Sequence, residues 1–266
     1  MHMHRGLRSF SALVAALVTA LLTVALAACG SDDARTGDRG EVVVSAATSL
    51  KAAFTAYGEQ FSDAGAQFSF AGSDELAAQI RAGARPDVFA SANTKLPEAL
   101  FAEGLVERPQ VFARNRLVLA VPATSTKVRS LDDLSADGVT IVIGAEAVPI
   151  GAYTRKVLGR LDGADRAGIL RNVRSNEPDV GGISAKLTQG AADAGFLYLT
   201  DVVATNGRLR SIELPARLQP AVAYGVAIVK GAAHRSEARA FVAGLLRGSG
   251  ATALKRAGFA APPAAQ

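Results

Sequence analysis

Residues 42–50 read Val-Val-Val-Ser-Ala-Ala-Thr-Ser-Leu. Three valines in a row read as a buried strand, and Leu50, Phe54, Tyr57 and Phe61 then recur at helical spacing. A strand that passes into a helix through Thr48 and Ser49 is the building unit of an α/β fold. The unit recurs along the chain. Phe68 and Phe70 alternate as in a strand, and beyond Gly72-Ser73 the positions Leu76 and Ile80 open a second helical face. Residues 87–90 read as a strand, 96–101 as a helix, and 116–121 as a strand that stops at Pro122.

A second series follows. It predicts a helical turn at 131–134, a strand at 139–143, a helix at 153–161, a strand at 169–173, a helix marked by Ile183 and Leu187, a strand at 194–199 and an extended piece at 212–214. The last stretch repeats the character of the first series, with a strand at 222–229, helices at 235–246 and 251–257, and a frayed Ala-Pro tail. Two series with a returning end predict two α/β lobes with largely parallel sheets. Residues 41–120 with 221–266 form one lobe, 121–220 form the other, and two crossings near Val121 and Ala221 join them. A cleft between such lobes is a natural ligand site.

The junctions between strands and helices carry the chemistry. Ser49 and Ser73 stand at two of them in the first lobe. In the second lobe, Val148-Pro149-Ile150-Gly151 precedes one helix and Asp179-Val180-Gly181-Gly182 precedes another. Each is a helix N-terminus with unpaired N–H groups and the positive end of a dipole, an arrangement that suits an anion. A serine or proline at one such place is ordinary capping. The same junction twice per lobe, at the carboxyl ends of the strands, points to one shared site.

The amino terminus reads as an export signal. Arg5 and Arg8 precede an apolar run, and residues 26–29 are Leu-Ala-Ala-Cys. Cys29 is the one cysteine of the 266 residues, so it has no disulfide partner within the chain. The segment resembles a bacterial lipobox. That resemblance implies a signal peptide over 1–28, a lipid on Cys29 and a chain held to the outer face of the cytoplasmic membrane. Residues 29–40 are polar and glycine-containing and are expected to serve as a flexible tether.

Removal of residues 1–28 takes away two arginines and no acidic residue, so the formal charge falls from +5 to +3. Scattered basic residues and 6% aromatics give no nucleic-acid surface. His234 is then the single histidine, which argues against an imidazole or thiolate metal site, and no cofactor is expected. A serine hydrolase would use Ser49 or Ser184. The chain has neither a Gly-x-Ser-x-Gly elbow nor a Ser-x-x-Lys motif, and His234 stands far from the strand ends. Tyr57, Tyr153, Tyr198 and Tyr224 are well separated, unlike the neighbouring tyrosines of an iron(III) site.

Taken as a set, these segments resemble the molybdate-binding proteins of ABC importers, within the two-lobed, type II periplasmic-binding superfamily. Residues 45–50 (Ser-Ala-Ala-Thr-Ser-Leu), 70–73 with 76–80, 83–92, 148–151, 179–180 and 197–202 are similar to that family's motifs in order and spacing. The resemblance implies that Ser49 and Ser73 donate hydroxyl and backbone hydrogen bonds to molybdate, Ile150 and Val180 backbone N–H groups, and Tyr198 its phenolic O–H. It also implies a monomer that works with a membrane permease and does no chemistry on its ligand. Tungstate, sulfate or another oxyanion is the alternative cargo. Ile150 stands where the family often has alanine, and Asp74-Glu75 follows Ser73 where small polar residues are usual. Both carboxylates are expected to face outward and to serve the helix dipole.

Overall fold

The computed structural model describes residues 40–262. The expected signal segment 1–28, Cys29, the tether through Arg39 and the end of the tail lie outside the described residues. Strand β1 (Glu41–Ala47) passes through a 3-10 turn (Thr48–Leu50) into α1 (Lys51–Gly58). Then follow β2 (Gly65–Ala71), α2 (Ser73–Arg81), β3 (Val88–Ser91), α3 (Lys95–Ala102) and β4 (Gln110–Asn115). The second series comprises β5 (Leu117–Pro122), β6 (Ile141–Gly144), α4 (Pro149–Leu158), α5 (Gly163–Arg171), β7 (Val173–Glu177), α6 (Val180–Thr188), β8 (Ala194–Tyr198), α7 (Leu199–Val203) and β9 (Leu209–Glu213). Strand β10 (Val222–Ile228) and helices α8 (Arg235–Arg247) and α9 (Ser249–Arg256) complete the chain.

Two five-stranded sheets result, in the orders β2-β1-β3-β10-β4 and β7-β6-β8-β5-β9. In the first, β1 runs parallel to β2 and β3, with Glu41 opposite Gly65 and Val44 opposite Val88. In the second, β6 runs parallel to β7 and β8. The sheets are mixed, not largely parallel as expected, because β10 is antiparallel to β3 and β4, and β5 is antiparallel to β8 and β9. The three parallel strands of each sheet stand in a 2-1-3 order that reverses at β1 and at β6, and ligands of open α/β sheets bind at the carboxyl ends of the strands where the order reverses.

The crossing between the lobes lies earlier than the expected Val121. Leu117 pairs with Tyr198, and Val118 with Leu197 and Glu213, so the whole of β5 belongs to the second sheet and the chain crosses between Asn115 and Leu117. Leu117 to Val121 are all buried, and a strand buried on both faces takes a place inside a sheet. The return crossing falls between β9 and β10. The strand expected at 169–173 is instead the end of α5 followed by β7. Asp162 caps that helix by accepting the Asp165 N–H at 2.9 Å, but Leu170 faces solvent, so no apolar stripe announces the helix. Strand β4 also escaped the sequence reading.

Under the first sheet, α1 and α8 bring together Phe54, Tyr57, Phe68 and Phe241, with Phe54 and Phe241 in an edge contact at 5.7 Å and the Tyr57 hydroxyl donating to the Phe241 carbonyl at 3.0 Å. Loss of one such buried ring costs about 3–5 kcal/mol. This packing fixes the axis of α1, and so the place of the Ser49 turn ahead of it.

Candidate functional site

The four helix starts face one another across the gap between the sheets. Ser49, Ser73, Ile150, Val180 and Tyr198 all border a single cavity of about 20 Å³, together with Thr48, Gly72, Ala92 and Asp179. A water needs roughly 10–15 Å³ by the same measure, so the space suits a small compact species and not a sugar or a peptide.

Each wall has a local cause. Helix α4 starts at Pro149, four residues earlier than the expected Tyr153, which makes Ile150 its second residue. Its N–H is among those that a helix leaves without an internal partner. Gly151 permits this placement, because a Cβ there would overlap the Ala145 carbonyl oxygen. Val180 is the first residue of α6, capped by Asp179, whose Oδ1 accepts the Gly182 N–H at 3.0 Å. Ser73 opens α2, and its hydroxyl oxygen accepts the Ala92 N–H at 3.1 Å. That bond occupies a lone pair and leaves the Ser73 proton free to donate. Ser49 lies 3.0 Å from the Tyr224 hydroxyl.

Tyr198 is fully buried, and its hydroxyl has no hydrogen-bond partner among the described residues. An unpaired buried polar group costs about 1–3 kcal/mol. Burial above all, reinforced by Tyr224 and Tyr153, pushes the phenol well above its ordinary range, so it keeps its proton and can donate it.

Among the described residues, no lysine or arginine borders the cavity. The carboxylate that does, Asp179, turns both oxygens to donors of its own: Oδ1 to Gly182 and Oδ2 to the Thr48 hydroxyl at 2.9 Å. Asp201, one turn into α7, accepts the Tyr198 N–H at 3.1 Å. Burial pushes its carboxyl up to about 7, against that hydrogen bond and with the help of Asp179.

Glu75 is exposed, as expected, and accepts from Gln79 at 3.2 Å. Asp74 does not face outward. Its Oδ1 is buried without a partner among the described residues, and a Cβ added at Gly72 would come within 2.9 Å of it and 2.7 Å of the Pro178 carbonyl oxygen. It therefore sits where the two lobes meet, beside the cavity but not on its wall; the positive start of α2 accounts for its placement.

Ser49 and His234 are not brought together. Ser49 is paired with a tyrosine. His234 bonds Asp87 at 3.0 Å, ahead of β3, at the opposite end of that strand from Ala92. Sequence reasoning missed Thr48, Asn115 and Tyr224 as parts of the site's surroundings. Ser49 and Tyr224 lie 175 residues apart, and nothing local joins them.

The chain matches the family model for bacterial extracellular solute-binding proteins over residues 42–260. It is 35% identical over 258 residues to the molybdate-binding protein ModA of Mycobacterium tuberculosis, covering 92% of this chain and 97% of that one. The Escherichia coli molybdate-binding protein ModA is 30% identical over 234 residues, or 84% of this chain and 90% of its own. Among solved structures, the periplasmic molybdate-binding protein of Azotobacter vinelandii is 25% identical and superposes with a TM-score of 0.75 over 83% of this chain and 99% of that chain. The match across nearly the whole described fold makes this chain a member of the bacterial extracellular solute-binding protein family, and so a binding protein and not an enzyme.

Proposed function

We propose that this chain captures molybdate between its two lobes and delivers it to the permease of an ABC importer. The observation that carries the reading is the ring of neutral donors around one small cavity, above all the buried Tyr198 hydroxyl that has no partner of its own. Ser49, Ser73, Tyr198, Ile150 and Val180 border it, and their hydroxyl and backbone N–H groups are the donors this reading assigns to the anion. A tetrahedral dianion offers four oxygens, and each charge-assisted bond contributes about 1.5–3 kcal/mol, so five such donors can offset its desolvation without a buried cation. The helix starts add their dipoles in the same sense. The relatives named for molybdate support the choice of cargo. Tungstate and sulfate have the same shape and would meet the same donors.

The protein works as a monomer. A lipid on Cys29 holds it to the outer face of the cytoplasmic membrane, and residues 29–40 leave it free to reach the permease. Calorimetry of the full chain against molybdate, tungstate, sulfate and phosphate tests the reading. Saturable binding of molybdate supports it; heat with none of the four overturns it.

A further inference from the structure

Two polar side chains outside the cavity wall, the Tyr224 phenol and the Asn115 amide, have no evident task in a fold that needs only packing at their positions. Tyr224, on β10, is fully buried, yet its hydroxyl reaches Ser49 Oγ at 3.0 Å. Asn115, the last residue of β4, sends its Nδ2 to Tyr224 Oη at 3.4 Å and to Thr200 Oγ1 at 2.8 Å. The orientation of that amide is fixed, because its Oδ1 accepts the Arg116 N–H at 2.9 Å.

Follow the protons from the backbone inward. Asn115 presents N–H, so Tyr224 Oη accepts. A phenol that accepts from Asn115 has its own proton for Ser49 Oγ. Ser49 then accepts from Tyr224, and its proton is left for the cavity. Burial, the main influence on Tyr224, raises its phenol well above the ordinary range, so the proton this order needs is present at every physiological pH. Ser73 reaches the same state by a shorter route, since its oxygen accepts the Ala92 N–H.

We infer that Tyr224 and Asn115 are positioning residues that lock the Ser49 hydroxyl as a hydrogen-bond donor toward the bound oxyanion. This inference rests on the oxyanion reading of the cavity. Without Asn115, the Ser49 proton could turn to the Tyr224 oxygen and present a lone pair to the anion, an orientation that repels it; without the Tyr224 hydroxyl, Ser49 loses the donor that fixes its orientation and holds the anion less well. With the relay in place, both serines meet the ligand as donors only. A fully deprotonated oxyanion is satisfied by them, whereas one that carries a proton has nowhere among them to donate it.

The test is a double-mutant cycle on molybdate affinity, in the full chain, with Tyr224→Phe, Ser49→Ala and the two combined. Tyr224→Phe is expected to weaken binding about tenfold in the parent, the usual worth of one oriented hydrogen bond to a charged group, and to have almost no effect in the Ser49→Ala background. Equal losses in both backgrounds, or no loss in the parent, would overturn the relay. Asn115→Asp supplies a second arm at a half-exposed position: an acceptor there reverses the relay and should weaken binding in the parent more than in the Ser49→Ala background. Equal effects of this change would count against it. A parent that binds no oxyanion at all is a different result, which sinks the functional reading itself, whereas a parent that binds with an additive cycle removes only the relay.

Discussion

Thr48 Oγ1 donates to Asp179 Oδ2 at 2.9 Å, which ties the turn after β1 in one lobe to the cap of α6 in the other. Both residues border the cavity, and the bond spans 131 positions of sequence. It exists only while the lobes are together. It also turns the Asp179 charge away from the ligand space.

Thr48→Val keeps the shape and removes the donor. The closed form loses one hydrogen bond to a carboxylate, so molybdate should dissociate faster and bind about tenfold more weakly. Stopped-flow release measures this. The unfolding temperature without ligand should move little, because one part-buried hydrogen bond is a small share of the stability of the fold.

Tyr198→Phe should act with opposite signs on two measurements. The substitution deletes a buried hydroxyl that has no partner among the described residues, so the ligand-free protein should gain about 1 kcal/mol in chemical denaturation. The same change removes a donor to the anion and should lower molybdate affinity about tenfold or more by calorimetry. A hydroxyl that merely packed would give no such split.

Asp201 and Asp87 set opposite slopes of stability with pH. Burial raises the Asp201 carboxyl from 3.8 to about 7, so between those values the folded state binds the proton more tightly and stability falls as pH rises. For Asp87, burial pushes upward, but the Val43 and His234 N–H groups and the His234 ring together outweigh it and hold the carboxyl below its ordinary value. Its contribution is present above the unfolded value near 3.8 and is lost as pH falls through the lower folded one. Asp201→Asn should therefore flatten urea-unfolding free energies between pH 4 and 7, by an amount on the order of a few kcal/mol, and leave the acid limb unchanged.

Cys29→Ala should move the protein from the membrane fraction to the soluble one and leave anion affinity as in the parent. In the proposed reading the lipid is on Cys29, far in sequence from the site residues 49–198. Fractionation with a binding assay on both fractions checks both halves.

Much of this was legible in the sequence because its causes are local. The valine run of β1, the Leu76 and Ile80 face of α2 and the four helix starts each follow from a few adjacent residues. Helix α5 was not legible: its stability comes from the Asp162 cap, and its single large buried side chain, Ile169, gives no period. Arg116-to-Val121 was read correctly as a strand but placed in the wrong sheet, because its partners Tyr198 and Glu213 are distant in sequence. Asp74 likewise depends on Pro178 from the other lobe, and the Tyr224 contact to Ser49 depends on the return of β10.

The most direct measurement is a calorimetric titration of molybdate into the full chain and into its Ser49→Ala, Ser73→Ala double variant. The expected result is saturable one-to-one binding by the parent and a loss of roughly 100-fold or more in the variant, from two charge-assisted bonds of about 1.5–3 kcal/mol each. A parent that gives no heat, or a variant that binds as tightly as the parent, would contradict the site.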